Sequence, residues 1–293
     1  MTSPSLATSR ADLAEQLLAR SEERPASVAL VPTMGALHEG HASLMRAARE
    51  RAEHGTVVAS VFVNPMQFGA GEDLDRYPRM LETDVEMCAR EGVDIVFAPP
   101  VEEVYPGWPE PPRVTVRPGP DAKILEGKLR KGHFRGVLTV VAKLFGLVAP
   151  DVAMFGEKDY QQLVLIRQMV ADLCLPVEID GVPTVREPDG LALSSRNRFL
   201  DEDQRIEAAI IHRALVAAQE SAVYGAEPAL HAARAEMRSA KAVDLDYLVL
   251  TDPELQELPD EVPDGTEARL LIAARVGATR LIDNAPITLG RTA

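Results

Sequence analysis

The chain has 293 residues, 46% hydrophobic and 26% charged, a globular composition in a chain long enough for one large or two modest domains. Its formal net charge of −14, from 45 acidic and 31 basic residues, argues against a nucleic-acid binder, which needs a basic stripe to displace counterions. No run approaches the ~20 apolar residues of a membrane span. Met1 to Arg10 also lacks the apolar core of a signal peptide, so a cytoplasmic protein that binds neither nucleic acid nor membrane is expected.

Ala11 to Arg20 has apolar residues at helical spacing, and Ser27 to Val31 is a short apolar run ended by Pro32, read as a buried strand. His41 to Glu53 has helical periodicity, and Thr56 to Val63 is β-branched and strand-like. Glu82 to Glu91 reads as a helix and Asp94 to Phe97 as a strand stopped by Pro99-Pro100. Val137 to Val148 is apolar nearly all round, as a buried helix is. Val152 to Phe155, Tyr160 to Leu173 and Val177 to Val185 continue the alternation as strand, helix and strand. Short apolar strands alternating with helices imply an α/β fold with a doubly wound, Rossmann-like parallel sheet, which binds ligands beyond the carboxyl ends of its strands.

Beyond Pro183 the pattern changes. Asp201 to Tyr224 and Pro228 to Ala240 read as Ala-rich helices, with Asp201 as N-cap. Asp244 to Leu250, Arg269 to Val276 and Thr279 to Asp283 read as three strands without long helices between them. Two domains are therefore expected, residues 1–184 and a smaller α+β domain over 185–293. Cys88 and Cys174 lack partners at metal-ligand spacing and are expected to be buried free thiols inside helices.

Neither a G-x-x-x-x-G-K-[ST] phosphate loop nor a G-x-G-x-x-G after a strand is present, and Gly69-Ala70-Gly71 reads as a turn. A nucleotide would have to be held another way. Pro32 to His41 (PTMGALHEGH) follows the first strand and opens a helix, and helix N-termini suit phosphate oxygens. Gly35 and Gly40 would let backbone approach a ligand closely. His38 and His41 are three apart, can face one side, and can donate to a phosphate that gains charge; a structural role in the turn is the other reading. Zinc fits poorly, because the zincin pattern sets its histidines four apart.

Phe155 to Gln162 (FGEKDYQQ) again runs from a strand into a helix and would place Lys158 at the sheet's carboxyl edge; a solvated lysine between Glu157 and Asp159 is the alternative. Leu193 to Asn197 (LSSRN) offers two hydroxyls and a guanidinium for phosphate, or is an ordinary loop. Phe62 to Phe68 ends a strand with two amides, Asn64 and Gln67, suited to a hydroxy acid. Their joint placement suggests one site assembled from separated loops.

These residues resemble the pantothenate synthetase family. The matching stretches are PTMGALHEGH (32–41), SVFVNPMQF (60–68), YPR (77–79), HFRGVLTVVAKLF (133–145), PDVAMFGEKDYQQLVLIRQMVADL (150–173), PTVREPDGLALSSRN (183–197) and RLIDN (280–284). The resemblance implies an AMP-forming ligase that condenses pantoate with β-alanine at the expense of ATP. It also implies a nucleotidylyltransferase-like domain of the His-x-Gly-His type, a C-terminal lid, and a homodimer. It assigns ATP contacts to Met34, Gly35, Ala36, Leu37, His38, Glu39, Gly40, His41, Gly156, Glu157, Lys158, Asp159, Val185, Leu193, Ser194, Ser195 and Arg196. Gln67 and Gln162 would hold pantoate, Asn64, Tyr77 and Arg130 would line the site, and His41 would be the proton donor. Magnesium would bridge the phosphates, with Asp84 as its ligand. Two departures stand out: Thr83 replaces a second acidic residue, and Leu129 and Lys131 flank Arg130 where the family commonly has Ser and Pro. The expected chemistry is attack of pantoate on the α-phosphorus, with His38, His41, Lys158, Ser194, Ser195 and Arg196 neutralising the phosphates. A nucleotidylyltransferase and a non-enzymatic nucleotide-binding module are the rival readings.

Overall fold

The computed structural model describes residues 3–23, 27–69, 74, 77–240 and 242–290. The turn expected at Gly69-Ala70-Gly71 lies outside them after Gly69. The chain forms two compact units, Met1–Gly156 with Gln161–Pro183, and Glu157–Tyr160 with Thr184–Ala293.

In the first unit, β1 (Ser5–Ala7), β2 (Val28–Thr33), β3 (Thr56–Val61), β4 (Ile95–Phe97), β5 (Val152–Gly156) and β6 (Glu178–Val182) form one sheet in the order β1-β4-β3-β2-β5-β6. Every pairing is parallel. The helices are α1 (Arg10–Glu23), α2 (Glu39–Ala52), α3 (Leu81–Arg90), the single turns α4 (Val101–Val104) and α5 (Leu125–Leu129), α6 (His133–Val148) and α7 (Tyr160–Asp172). Ala29, Val31, Val57 and Ala59 pack with Leu44, Met45 and Ala48 of α2. The alternate residues Leu30 and Val58 point to the opposite face and are equally buried. Both faces are thus covered, which is why these strands read as continuous apolar runs. The doubly wound parallel sheet is as the alternation implied.

Strand β2 pairs with β3 on one side and β5 on the other. The chain leaves β2 for β3 and β4, then returns across β2 to make β5. The switch point of the sheet therefore lies between the carboxyl ends of β2 and β5.

In the second unit, α8 (Glu202–Ala208), α9 (Ile210–Ser221) and α10 (Ala226–Ser239) accompany the antiparallel sheet β7 (Val243–Thr251), β8 (Thr266–Val276) and β9 (Thr279–Leu289). Ile210, Ile211 and Leu215 of α9 pack with Leu270, Ile272 and Ile287. Asp201 caps α8, its carboxylate accepting from Gln204 N at 2.8 Å.

The structure corrects several boundaries. Pro32 does not end β2, which runs to Thr33, because proline removes only its own donor and β5 is registered only against Ala29 and Leu30. The helix expected over Asp201 to Tyr224 is broken after Ala208 and closes in a 3-10 turn, Ala222–Tyr224. Strand β1 and the turns α4 and α5 are too short to carry a period, and sequence reading missed them. Among the described residues, no helix is long and apolar enough to cross a membrane.

The two thiols also differ from expectation. Cys88 is buried in α3, where burial first and the Asp84 carboxylate second push its pKa up to about 12. Cys174 is exposed, because α7 ends at Asp172 and Cys174 turns the chain with φ 52°. A thiol reagent is expected to label Cys174 alone in the folded protein and to reach Cys88 only after denaturation; equal, rapid labelling of both would contradict the burial of Cys88.

Candidate active site

The PTMGALHEGH segment leaves β2 at Thr33 and enters α2 at Glu39. Gly35 has φ 80°, and a Cβ there would stand 2.8 Å from Asp84 Oδ2, so glycine is required. Ala36 is also left-handed at φ 52°, a conformation that costs about 1–3 kcal/mol. Asp84, 2% exposed, holds it: its carboxylate accepts from Ala36 N at 3.1 Å and Leu37 N at 2.8 Å. The helix then caps itself. His38 Nδ1 accepts from Gly40 N at 3.1 Å, and His41 Nδ1 accepts from His38 N at 3.2 Å.

One expectation is revised here. The amides of Ala36, Leu37, His38 and Gly40 are engaged inside the turn, so they are not idle phosphate donors. With both Nδ1 atoms accepting, the proton of each neutral ring sits on Nε2, giving two adjacent donors on rings whose centroids are 4.2 Å apart. The structural and functional readings of the pair thus use different nitrogens. Met34 borders the turn through its sulfur, 2.8 Å from Gln67 Nε2, and exposed Glu39 pairs with Arg46.

Asn64 is 1% exposed and spends its whole amide on the protein. Nδ2 donates to Gln67 Oε1 and to Gly136 O, both at 3.1 Å, while Oδ1 accepts from Tyr105 OH at 2.9 Å and Met66 N at 3.3 Å. It therefore holds Gln67, and has no capacity left for the hydroxy acid expected there. Burial pushes the Tyr105 phenol up and keeps it a donor. Helix α6 comes so close that a Cβ on Gly136 would meet Met66 O at 2.3 Å.

Arg130 reaches the same strand end through His133. Arginine only donates, so His133 Nε2 accepts from Arg130 at 2.9 Å, and Nδ1–H then donates to Gln67 O at 2.9 Å. Tyr77 lies edge-on to Phe68, with centroids 6.0 Å apart. Gly156 ends β5, the neighbour of β2. Gln162 sits half-buried on α7, while Gln161 is 3% exposed and braces residues 121–126 through Glu126 N, Asp121 O and Ile124 O.

In the second unit, Glu157, Lys158 and Asp159 form a 3-10 turn. Lys158 is 18% exposed, with Nζ 3.9 Å from Asp159 Oδ1. Val185 O accepts from Leu193 N at 2.9 Å, closing the 186–192 loop that leads into Leu193. Ser194 caps a 3-10 helix, its Oγ accepting from Arg196 N at 3.2 Å; Ser195 is half-buried and Arg196 exposed. Asn197 anchors this loop by donating to Glu187 Oε1 and Ala192 O. The Arg205 guanidinium bonded to Glu187 holds that carboxyl below its usual range.

The sequence reading missed Tyr105, His133, Gln161 and Asn197. His133, Gln161 and Asn197 were hinted at only by their places inside matched stretches, and Tyr105 lies outside every one of them. Asp84, expected as a magnesium ligand, serves the turn here: each of its oxygens accepts one backbone amide. Among the described residues, no three His, Cys, Asp or Glu side chains gather as a metal cage.

A Rossmann-like α/β unit with polar loops at its switch point, followed by a small antiparallel α+β unit, defines the class. The chain belongs to the pantoate–β-alanine ligase family, whose model matches residues 5–286. It is 69% identical to pantothenate synthetase of Nocardioides sp., across 99% of this chain and 87% of that one. The Mycolicibacterium smegmatis enzyme of the same name is 57% identical, across 91% and 82%. The crystal structure of pantothenate synthetase from Thermus thermophilus superposes with TM-score 0.85 at 48% identity, covering 96% of this chain and 98% of that one. The Francisella tularensis pantoate–β-alanine ligase, complexed with β-γ ATP and β-alanine, gives TM-score 0.75 at 33% identity, across 96% and 97%.

Proposed function

We propose that this ligase uses ATP to join pantoate to β-alanine through a pantoyl adenylate, releasing pyrophosphate and then AMP. The observation that carries the reading is the His38–His41 capping box, in which both Nδ1 atoms accept backbone amides and the two ring centroids lie 4.2 Å apart where β2 gives way to α2. The pantoate carboxylate attacks the α-phosphorus in line and pyrophosphate leaves. The β-alanine amine then attacks the acyl carbon, AMP departs with the bonding pair, and the amine's proton passes to solvent or phosphate. The protein's part is positioning and charge stabilisation. Lys158 and Arg196 neutralise phosphate charge, His38, His41, Ser194 and Ser195 donate hydrogen bonds to the phosphates, and Gln67 and Gln162 orient pantoate, with Arg130 and Tyr77 beside them. Asn64 and Asp84 act behind this layer as supports. Magnesium would supply charge compensation for the nucleotide's phosphates, while the Asp84 carboxylate holds the Ala36 and Leu37 amides. The family resemblance also supports a cytoplasmic homodimer.

Incubation with ATP and pantoate, with and without β-alanine, tests the reading. Pyrophosphate is expected with pantoate, and sustained release of free AMP only when the amine is added. ATP binding with no pyrophosphate in any mixture would reject the enzyme. Transfer of AMP to a phosphate acceptor would assign a nucleotidylyltransferase instead.

A further inference from the structure

We infer that Asn284 is a positioning residue that sets Lys158. Asn284 lies on β9, 3% exposed, where an apolar side chain would pack at less desolvation cost. Its Nδ2 donates to two consecutive carbonyls, Glu157 O at 2.9 Å and Lys158 O at 3.0 Å. Its Oδ1 accepts from Arg269 Nε at 2.7 Å. Arginine can only donate and carbonyls can only accept, so the amide has a single satisfying orientation.

Arg269, 6% exposed on β8, completes the clamp. It donates to Glu157 Oε2 at 2.9 Å and lies over the Tyr160 ring, 4.0 Å from the centroid. The Tyr160 hydroxyl donates to Pro253 O at 2.9 Å. Register pairs Arg269 with Pro286 and Leu271 with Asn284, so Arg269 and Asn284 are diagonal neighbours on one face. All these residues belong to the second compact unit, although Glu157 directly follows β5 of the first. The C-terminal sheet therefore fixes the backbone of Lys158. Two costly buried polar groups converge on one short turn, Asn284 on its carbonyls and Arg269 on the Glu157 carboxylate, and that turn carries the proposed catalytic lysine.

The inference rests on the role given to Lys158, and its test separates the two. Asn284→Ala, Lys158→Ala and the double variant are assayed for kcat and for KM towards ATP. Hydrogen exchange is followed in the peptide covering Glu157 to Tyr160. Asn284→Ala is expected to speed exchange there and to lower kcat roughly 10–100-fold, as a displaced reacting group does. In a Lys158→Ala background it should cost less than about twofold, because its effect runs through the lysine. Unchanged exchange at 157–160 overturns the clamp whatever Lys158 does. Losses that multiply in the double variant and track melting temperature reduce Asn284 to a fold-stabilising residue. A near-normal rate for Lys158→Ala with faster exchange in Asn284→Ala would overturn both the lysine's catalytic role and the inference that Asn284 serves it.

Discussion

Lys158→Ala is expected to lower the rate of adenylate formation about 10²–10³-fold, the usual loss when one preorganised donor to developing charge is removed. The physical basis is the side chain's setting. Lys158 is only 18% exposed, and its carboxylate partner, Asp159, stands at 3.9 Å, the limit of an ion pair. A lysine serving as a surface charge would be more exposed and its loss nearly neutral. Pre-steady-state measurement of pyrophosphate release with ATP and pantoate reads the step directly. Melting temperature should change little, since the turn is held by carbonyl contacts that alanine retains. A rate within about threefold of the parent would remove Lys158 from the reaction.

Asp84→Ala is expected to be the most damaging single change to the first unit. It leaves the buried Ala36 N and the part-buried Leu37 N without acceptors, and each such orphan costs about 1–3 kcal/mol. It also releases the left-handed Ala36 from the contact that holds it. A loss of about 3 kcal/mol, or roughly 6–12 °C in Tm, should be seen with neither nucleotide nor magnesium present. Asp84→Asn keeps one acceptor and should lose about half as much. A metal ligand would behave oppositely, leaving Tm untouched until magnesium and nucleotide were added. An unchanged Tm for Asp84→Ala in metal-free buffer would restore the metal reading and discard the scaffold.

The revision of Asn64 follows the same logic. Sequence reading placed two amides, Asn64 and Gln67, at a strand end and expected both to meet substrate. Whether an amide is available depends on what surrounds it, and Tyr105 and Gly136 take up the capacity of Asn64. Cys174 misled for a related reason: its neighbours are apolar along the chain, yet the helix stops two residues before it.

What the amino-acid order settled by itself was local. Apolar runs of strand length alternating with helical periods specified a doubly wound parallel sheet, and contiguous motifs marked the loops at its carboxyl edge and the family they belong to. The tertiary structure decided which distant side chain supports each motif. Asp84 lies 48 positions from Ala36, Tyr105 lies 41 from Asn64, and Asn284 lies 126 from Lys158. A hydrogen bond across such a span leaves no period in the chain, because its partners meet only after the sheets have formed and buried them.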